Sequence, residues 1–129
     1  LTILGPVGTV QLIEHFAAIY GNTLKDPGFP LTVRELVPGE RADLGDGVSL
    51  EAHKVPHTAE SVAYSVVRGA ARLVYTGDTG FDTAVAEWAR ECSVLLCECS
   101  LPAGLAVPSH LTPAPVGGMA GVAGADMGG

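Results

Sequence analysis

Short β-rich segments separated by glycine-containing turns constrain the fold of this chain more than any other sequence feature. Strands are predicted at residues 1–4, 32–37, 48–55, 62–67, 71–75 and 94–98. The helical spacing of apolar residues predicts helices at about 10–20 and 81–90, and Thr112-Pro113 is a typical N-cap and first residue of a last helix. Strands dominate the first half and alternate with helices in the second. We therefore expect a mixed α/β fold of the α+β type.

Two turns and one apolar run make this prediction more specific. Gly45-Asp46-Gly47 is typical of a hairpin turn that leads into the strand at 48–55, and Arg68-Gly69-Ala70 predicts a second reversal. Residues 94–98 form a continuous apolar run that ends in Glu98, and such runs are typical of strands buried on both faces. We expect 94–98 to be a buried strand.

Composition and charge exclude several classes of protein. The 129 residues suffice for one domain, and a hydrophobic fraction of 47% with only 16% charged residues excludes an intrinsically disordered chain. The densest apolar stretch, 93–101, is interrupted by Glu98 and is much too short for a membrane-spanning helix, so we expect no membrane partner. A net charge of −7 disfavours non-specific binding to nucleic acid. Three cysteines without regular spacing favour the reducing cytoplasm.

The two ends of the sequence lead to an expectation about domain organisation. The chain begins with Leu1 inside a predicted strand, and residues 117–129 contain six glycines, which are unfavourable in a helix. We expect a partial domain at 1–124 and a disordered glycine-rich tail at 125–129. The chain is accordingly expected to be a fragment.

Four residues of catalytic type lie at strand ends or just before the last helix. His57, Asp78 and Glu98 each follow or end a predicted strand, and His110 precedes the last helix. Imidazole and carboxylate groups are ligands of Zn²⁺ and Mn²⁺ in hydrolytic sites. Each also has a structural explanation, since a lone histidine is often on the surface and Asp78 could cap a helix. Glu98 is harder to explain structurally, because a carboxylate on an apolar strand requires a partner. From spacing alone, the sequence indicates a metal or acid–base site.

Four motifs in order resemble a known family. Residues 57–64 (HTAESVAY), 74–79 (VYTGDT), 95–100 (LLCECS) and 109–112 (SHLT) follow the order found in metallo-β-lactamase-fold hydrolases. They look most like the branch of ribonuclease Z and related phosphodiesterases. Residues 1–9 (LTILGPVGT) are similar to the strand and turn that follow the first metal motif of that family. The resemblance implies a four-layer αββα sandwich, of which this chain would form a part.

The resemblance also implies a role for each candidate residue. His57 matches a metal-ligand histidine, and Asp78 matches the carboxylate that bridges two metal ions. Glu98 and His110 match the pair that delivers a proton to the leaving oxygen. Two Zn²⁺ ions per intact domain are implied, with Mn²⁺ as an alternative. The family's His-x-His-x-Asp-His motif has no match in residues 1–129, and neither His15 nor His53 replaces it. We therefore expect the isolated chain to be inactive.

The resemblance narrows the substrate class without identifying the substrate. Ribonuclease Z enzymes carry a long tRNA-holding insertion where this chain has only Arg68-Gly69-Ala70-Ala71-Arg72. With the acidic charge, this favours a small phosphodiester, such as a cyclic nucleotide, over tRNA. Two alternatives stay open. One is a metallo-hydrolase of carboxylic or sulfur esters, since fold alone does not decide chemistry. The other is a non-catalytic half-fold that pairs its open sheet edge with a partner, and a homodimer is possible.

Overall fold

The computed structural model describes residues 1–124, so the tail predicted at 125–129 lies outside the described residues. The chain divides into two compact units, Leu1–Val37 and Pro38–Gly129, and each is described by itself. Among the described residues, no helix is long and apolar enough to cross a membrane.

The first unit is a strand–helix–strand motif. Strand β1 (Thr2–Pro6) pairs in parallel with β2 (Thr32–Leu36), and helix α1 (Thr9–Tyr20) connects them. Gly8 at the start of α1 has no capping side chain of its own. Instead, Glu35 Oε1 on β2 accepts the backbone N–H groups of Gly8 and Val10, each at 2.9 Å. A carboxylate at a helix N-terminus is favourable because the N–H groups there have no partner in the helix. Gly21 follows α1 with a positive φ of 82°, a conformation that favours glycine.

The second unit is a five-stranded sheet with two helices. Its strands follow chain order and are β3 (Arg41–Gly45), β4 (Val48–Lys54), β5 (Val62–Arg68), β6 (Ala71–Tyr75) and β7 (Val94–Leu96). The first four pair antiparallel, and β7 lies parallel to β6. Helices α2 (Thr83–Trp88) and α3 (Pro113–Ala123) share a core with the sheet. The buried residues of that core are Val55, Ala63, Val85, Ala86, Leu111 and Met119.

Both predicted reversals are confirmed. Asp46 and Gly47 have φ values of 51° and 73°, and Gly69 has a φ of 58°. Two successive positive φ values match the right-handed twist of a hairpin, which explains the Asp-Gly pair between β3 and β4. Strands β4 and β5 also pair antiparallel, with Lys54 opposite Val62, which brings the carboxyl end of β4 and the amino end of β5 together around residues 55–61.

The structure differs from the sequence-based prediction at three elements. Strand β3 was not predicted. Helix α2 is shorter than the predicted 81–90: it begins at Thr83 because Asp82 caps it, its side chain accepting the Ala84 N–H at 2.7 Å, and it ends at Trp88. The prediction of a buried strand at 94–98 is wrong. Strand β7 stops at Leu96, and the side chains of Val94 and Leu96 are 50% and 54% exposed. Strand β7 is the last strand in the sheet order, and its Leu95 packs against the core. Because side chains alternate along a strand, Val94 and Leu96 lie on the opposite face.

Candidate metal centre

The four predicted site residues come together at one end of the sheet. Ligand atoms of Asp78, Glu98 and His110 lie within 4.8 Å of one another. The ring of His57 meets the ring of His110 edge-on, with centroids 4.7 Å apart. The loops after β4, β6 and β7 therefore bring three of these residues together, and the segment before α3 brings the fourth.

A close approach at Gly80 holds three of these segments together. The Gly80 N–H donates to the carbonyl oxygen of Pro56, next to His57, at 2.8 Å. A Cβ atom on Gly80 would lie 1.9 Å from the carbonyl oxygen of Pro108, so only glycine fits. Gly80 was not identified from the sequence, although it directly follows the motif at 74–79 that contains Asp78.

The Glu98 carboxylate is buried and fully engaged in hydrogen bonds. Its Oε1 accepts from the Thr79 backbone N–H at 2.8 Å and from His110 Nδ1 at 2.9 Å. Its Oε2 accepts from the Ser100 N–H at 3.0 Å, and the side chain is only 7% exposed. Burial alone raises the pKa of Glu98, but the hydrogen bonds from Ser100, Thr79 and His110 outweigh it and lower the pKa to about 2. Glu98 is therefore ionised at neutral pH.

Two buried threonines connect the segments after β6 and β7. Thr76 Oγ1 accepts the Glu98 N–H at 3.2 Å and donates to the Gly77 carbonyl oxygen at 2.9 Å. The side chain of Thr79 is also buried, and its hydroxyl donates to the Gly80 carbonyl oxygen at 2.8 Å. Both threonines lie within the motif around Asp78, but their role was not predicted from the sequence. Buried hydroxyls in a strand-end turn are the signal that could have identified them.

The partners of the two histidines determine which ring nitrogens are free. His110 Nδ1 faces a carboxylate, and His57 Nδ1 lies 2.9 Å from the Ser109 carbonyl oxygen. Both of these oxygens can only accept, so each Nδ1 carries the hydrogen. Each neutral ring then has its lone pair on Nε2, which is the form that binds a metal ion or accepts a proton.

The donor set fits a divalent metal ion. Asp78 is an exposed carboxylate beside His110, and carboxylate oxygen with imidazole nitrogen is a ligand combination of Zn²⁺ and Mn²⁺. Glu98 is less suited to ligation, because both of its oxygens already accept hydrogen bonds from the protein. The geometry thus distinguishes an exposed carboxylate that is able to bind metal from a buried one that orients His110.

Comparisons with solved structures agree on the fold. The chain is similar to human tRNase Z, short form, with a TM-score of 0.78 and 20% identity over 98% of this chain and 58% of that one. It is similar to YhfI from Bacillus subtilis, a metallo-beta-lactamase fold protein, with a TM-score of 0.77 and 17% identity over 97% of this chain and 48% of that one. Zn²⁺-bound PqqB from Methylobacterium extorquens matches with a TM-score of 0.62 and 14% identity, over 77% of this chain and 33% of that one. PqqB, one neighbour with this fold, therefore binds Zn²⁺.

A curated relative and a family model complete the comparison. Protein ML1173 of Mycobacterium leprae is 33% identical over 99 residues, which is 76% of this chain and 34% of the relative. The chain thus spans about a third of that relative and about half of its structural neighbours. The model of the beta-lactamase superfamily domain matches residues 1–126. The predicted mixed α/β fold is confirmed, and the chain belongs to the beta-lactamase superfamily with the metallo-β-lactamase fold.

Proposed function

We propose that this chain is part of a binuclear metal-dependent phosphodiesterase and carries its proton-delivery pair. The observation that carries the proposal is the hydrogen bond between Glu98 and His110, formed beside the exposed carboxylate of Asp78. A carboxylate that orients an imidazole next to a ligand-type carboxylate suits the hydrolysis of a charged ester. The remaining metal ligands would come from outside residues 1–129.

In this proposal, His57 and Asp78 would hold the metal, and Asp78 would be the carboxylate shared by two ions, as the family resemblance implies. Zn²⁺ is the proposed metal and Mn²⁺ the alternative, since both accept imidazole nitrogen and carboxylate oxygen. When bound, such ions supply Lewis-acid stabilisation of charge on the phosphoryl oxygens. The Nδ1–H of His57 donates to Ser109, which leaves Nε2 as its ligand atom.

Glu98 and His110 perform the proton transfer. Protonated His110 donates a proton from Nε2 to the leaving oxygen, while its Nδ1–H stays bonded to Glu98. The carboxylate of Glu98 stabilises the positive charge on the ring and keeps the ring from rotating. Because the pKa of Glu98 is about 2, Glu98 stays ionised and does not itself act as the acid.

A small phosphodiester is the proposed substrate class. Strands β5 and β6 are joined by a tight turn at Gly69-Ala70, where ribonuclease Z enzymes carry their tRNA-holding insertion. A net charge of −7 also disfavours a polyanionic tRNA. The similarity to human tRNase Z supports phosphodiester chemistry rather than that particular substrate. We propose the cytoplasm as its compartment, because three cysteines without regular spacing favour a reducing environment.

The test is hydrolysis by the full-length protein that contains this chain. Bis-p-nitrophenyl phosphate should be cleaved and p-nitrophenyl acetate should not. Preferential cleavage of the acetate would instead support the ester alternative. Asp78→Ala should abolish turnover and lower the metal content, whereas His15→Ala on the exposed side of α1 should change neither. Full activity with Asp78→Ala would overturn the proposal.

The dependence of the rate on the leaving group distinguishes the role of His110 from that of Asp78. His110→Ala should retain the metal and lower the rate on a nucleoside phosphodiester by ~10²–10⁴. The loss should be far smaller with p-nitrophenolate, which leaves without protonation. Glu98→Gln should behave like His110→Ala with a smaller loss. If His110→Ala instead loses metal as Asp78→Ala does, His110 is a ligand and the division of roles is wrong.

A further inference from the structure

We propose that Lys54 is a positioning residue that holds the loop carrying His57; this inference rests on the proposed function, in which His57 binds metal. Lys54 is the last residue of β4, and Val62, its partner in the register, begins β5. Residues 55–61 form the connection between them, and His57 lies within it. The side chain of Lys54 is exposed, and its end reaches this connection.

The Lys54 ammonium group makes three hydrogen bonds to the loop. Its Nζ donates to the carbonyl oxygens of Thr58, Ala59 and Ser61, the last two at 3.0 and 3.2 Å. An ammonium group has three N–H donors, so the bonds to this one turn use all of them. All three acceptors are backbone carbonyl oxygens rather than atoms of a mobile side chain. The arrangement therefore differs from an exposed ion pair, which contributes little.

The loop is shaped to receive a cation at this position. Thr58 and Ser61 close it from the other side, with the Thr58 N–H donating to Ser61 Oγ at 3.2 Å and the two hydroxyl oxygens 2.8 Å apart. This closure turns the three carbonyl dipoles toward one point, where they repel one another unless a positive charge lies between them. Without the ammonium group, the repulsion between the three carbonyl dipoles favours opening of the loop.

His57 lies between this anchor and a second one. On its N-terminal side, the Pro56 carbonyl oxygen accepts the Gly80 N–H. On its C-terminal side, Lys54 fixes the backbone from Thr58 onward. Only with both sides fixed does the ring keep its Nδ1–H on Ser109, and this bond directs the Nε2 lone pair toward a metal ion. Lys54 thus acts through His57 and touches neither metal nor substrate.

The test compares Lys54→Met with Lys25→Met in the 129-residue chain. Lys25 is the matched control, because it is also an exposed lysine but pairs with Glu14 in the first unit. Imidazole ¹⁵N shifts report the His57 tautomer without metal, and a Zn²⁺ titration followed at the same ring reports its affinity. Lys54→Met should lose the uniform Nδ1–H tautomer and weaken Zn²⁺ binding about 10-fold. Lys25→Met should leave both unchanged.

The two readouts separate this inference from the proposed function. A wild-type tautomer and affinity in folded Lys54→Met would overturn the positioning role. A changed tautomer in a chain whose His57 binds no Zn²⁺ even as wild type would support the positioning role and count against the metal site. Amide-exchange protection across β4 and β5 reports folding. If Lys54→Met unfolds, Lys54→Gln takes its place, because glutamine keeps an amide donor. In Lys54→Gln, the Nδ1–H fraction of the His57 ring should lie between the wild-type value and that of free imidazole. A wild-type value in this variant would overturn the inference.

Discussion

At the scale of single residues, Glu98 shows what a sequence can reveal about a buried charge. A carboxylate at the end of an apolar run needs a partner, and this reasoning indicated a site before any geometry was known. Two of its partners are the backbone N–H groups of Thr79 and Ser100, which every residue except proline has. Such partners have no sequence signature. The third, His110, was linked to Glu98 only through the resemblance to a family.

The low pKa of Glu98 predicts how stability depends on pH. The folded-state pKa is about 2, below the ordinary value of 4.5, so ionised Glu98 stabilises the metal-free chain above about pH 4.5. This contribution, on the order of 1–3 kcal/mol, is lost as pH falls from about 4.5 toward 2. Glu98→Gln should lower the free energy of unfolding at pH 7. Between about pH 4.5 and 2, the free energy of unfolding should fall less steeply in this variant than in wild type. Urea titrations at several pH values measure this, with Glu60→Gln as an exposed control. An unchanged slope in Glu98→Gln would contradict the prediction.

Gly80 should tolerate no side chain. Gly80→Ala places a Cβ against the Pro108 carbonyl oxygen, so the segments next to His57 and His110 must move apart. We expect the free energy of unfolding to fall by about 2–4 kcal/mol. Gly121→Ala in α3 is the matched control, because a Cβ there meets nothing within 4 Å. It should be neutral or stabilising by up to about 1 kcal/mol. Equal stability of the two variants in denaturant titrations would show that the close approach is unimportant.

At the scale of elements, local signals predicted the hairpins better than the helix and strand ends. Turns such as Gly45-Asp46-Gly47 act through positive φ values, which few residue types adopt, so sequence reports them directly. The burial of β7 depends on its place in the sheet order, which its own residues do not encode. Helix α2 ends at Trp88, and three residues later Glu91 has a φ of 61° although it is not glycine, with its N–H donating to the Ala123 carbonyl oxygen of α3. Such ends are decided by tertiary contacts.

The cap of α2 is testable by itself. Asp82 accepts the Ala84 N–H in a helix of six residues, in which one capping bond satisfies a large share of the free donors. Asp82→Ala should cost about 1 kcal/mol of unfolding free energy, and Asp82→Asn, which keeps an acceptor, should cost less. Thermal or urea unfolding measures both variants. An equal loss with asparagine and with alanine would indicate that the charge of Asp82, rather than the cap, is important.

At the scale of the whole molecule, the site depends on contacts between distant parts of the chain. His57 and His110 are in ring contact although 53 positions separate them in the sequence. Alternating strands and helices predicted the α/β class, but periodicity contains no information about which strand ends meet. The position of the four residues at strand ends indicated a site, and the ordered motifs, read as a resemblance, assigned each of them a role in it. The Gly80 contact and the Lys54 anchor, which hold the loops in place, were not predicted.

The apolar face of the sheet predicts that the isolated chain self-associates. Register places Leu73 opposite Val94 and Tyr75 opposite Leu96, so these four side chains share one face, and they are 40–54% exposed. A contiguous apolar patch of this kind favours association in water, and a homodimer is the smallest product. Val94→Lys with Leu96→Lys should shift the chain toward monomer in analytical ultracentrifugation, because lysines resist burial and edge pairing. Leu12→Lys, which replaces an equally exposed leucine on α1, is the matched control and should not cause this shift. A wild-type chain that is monomeric at high concentration would show that this face does not drive association.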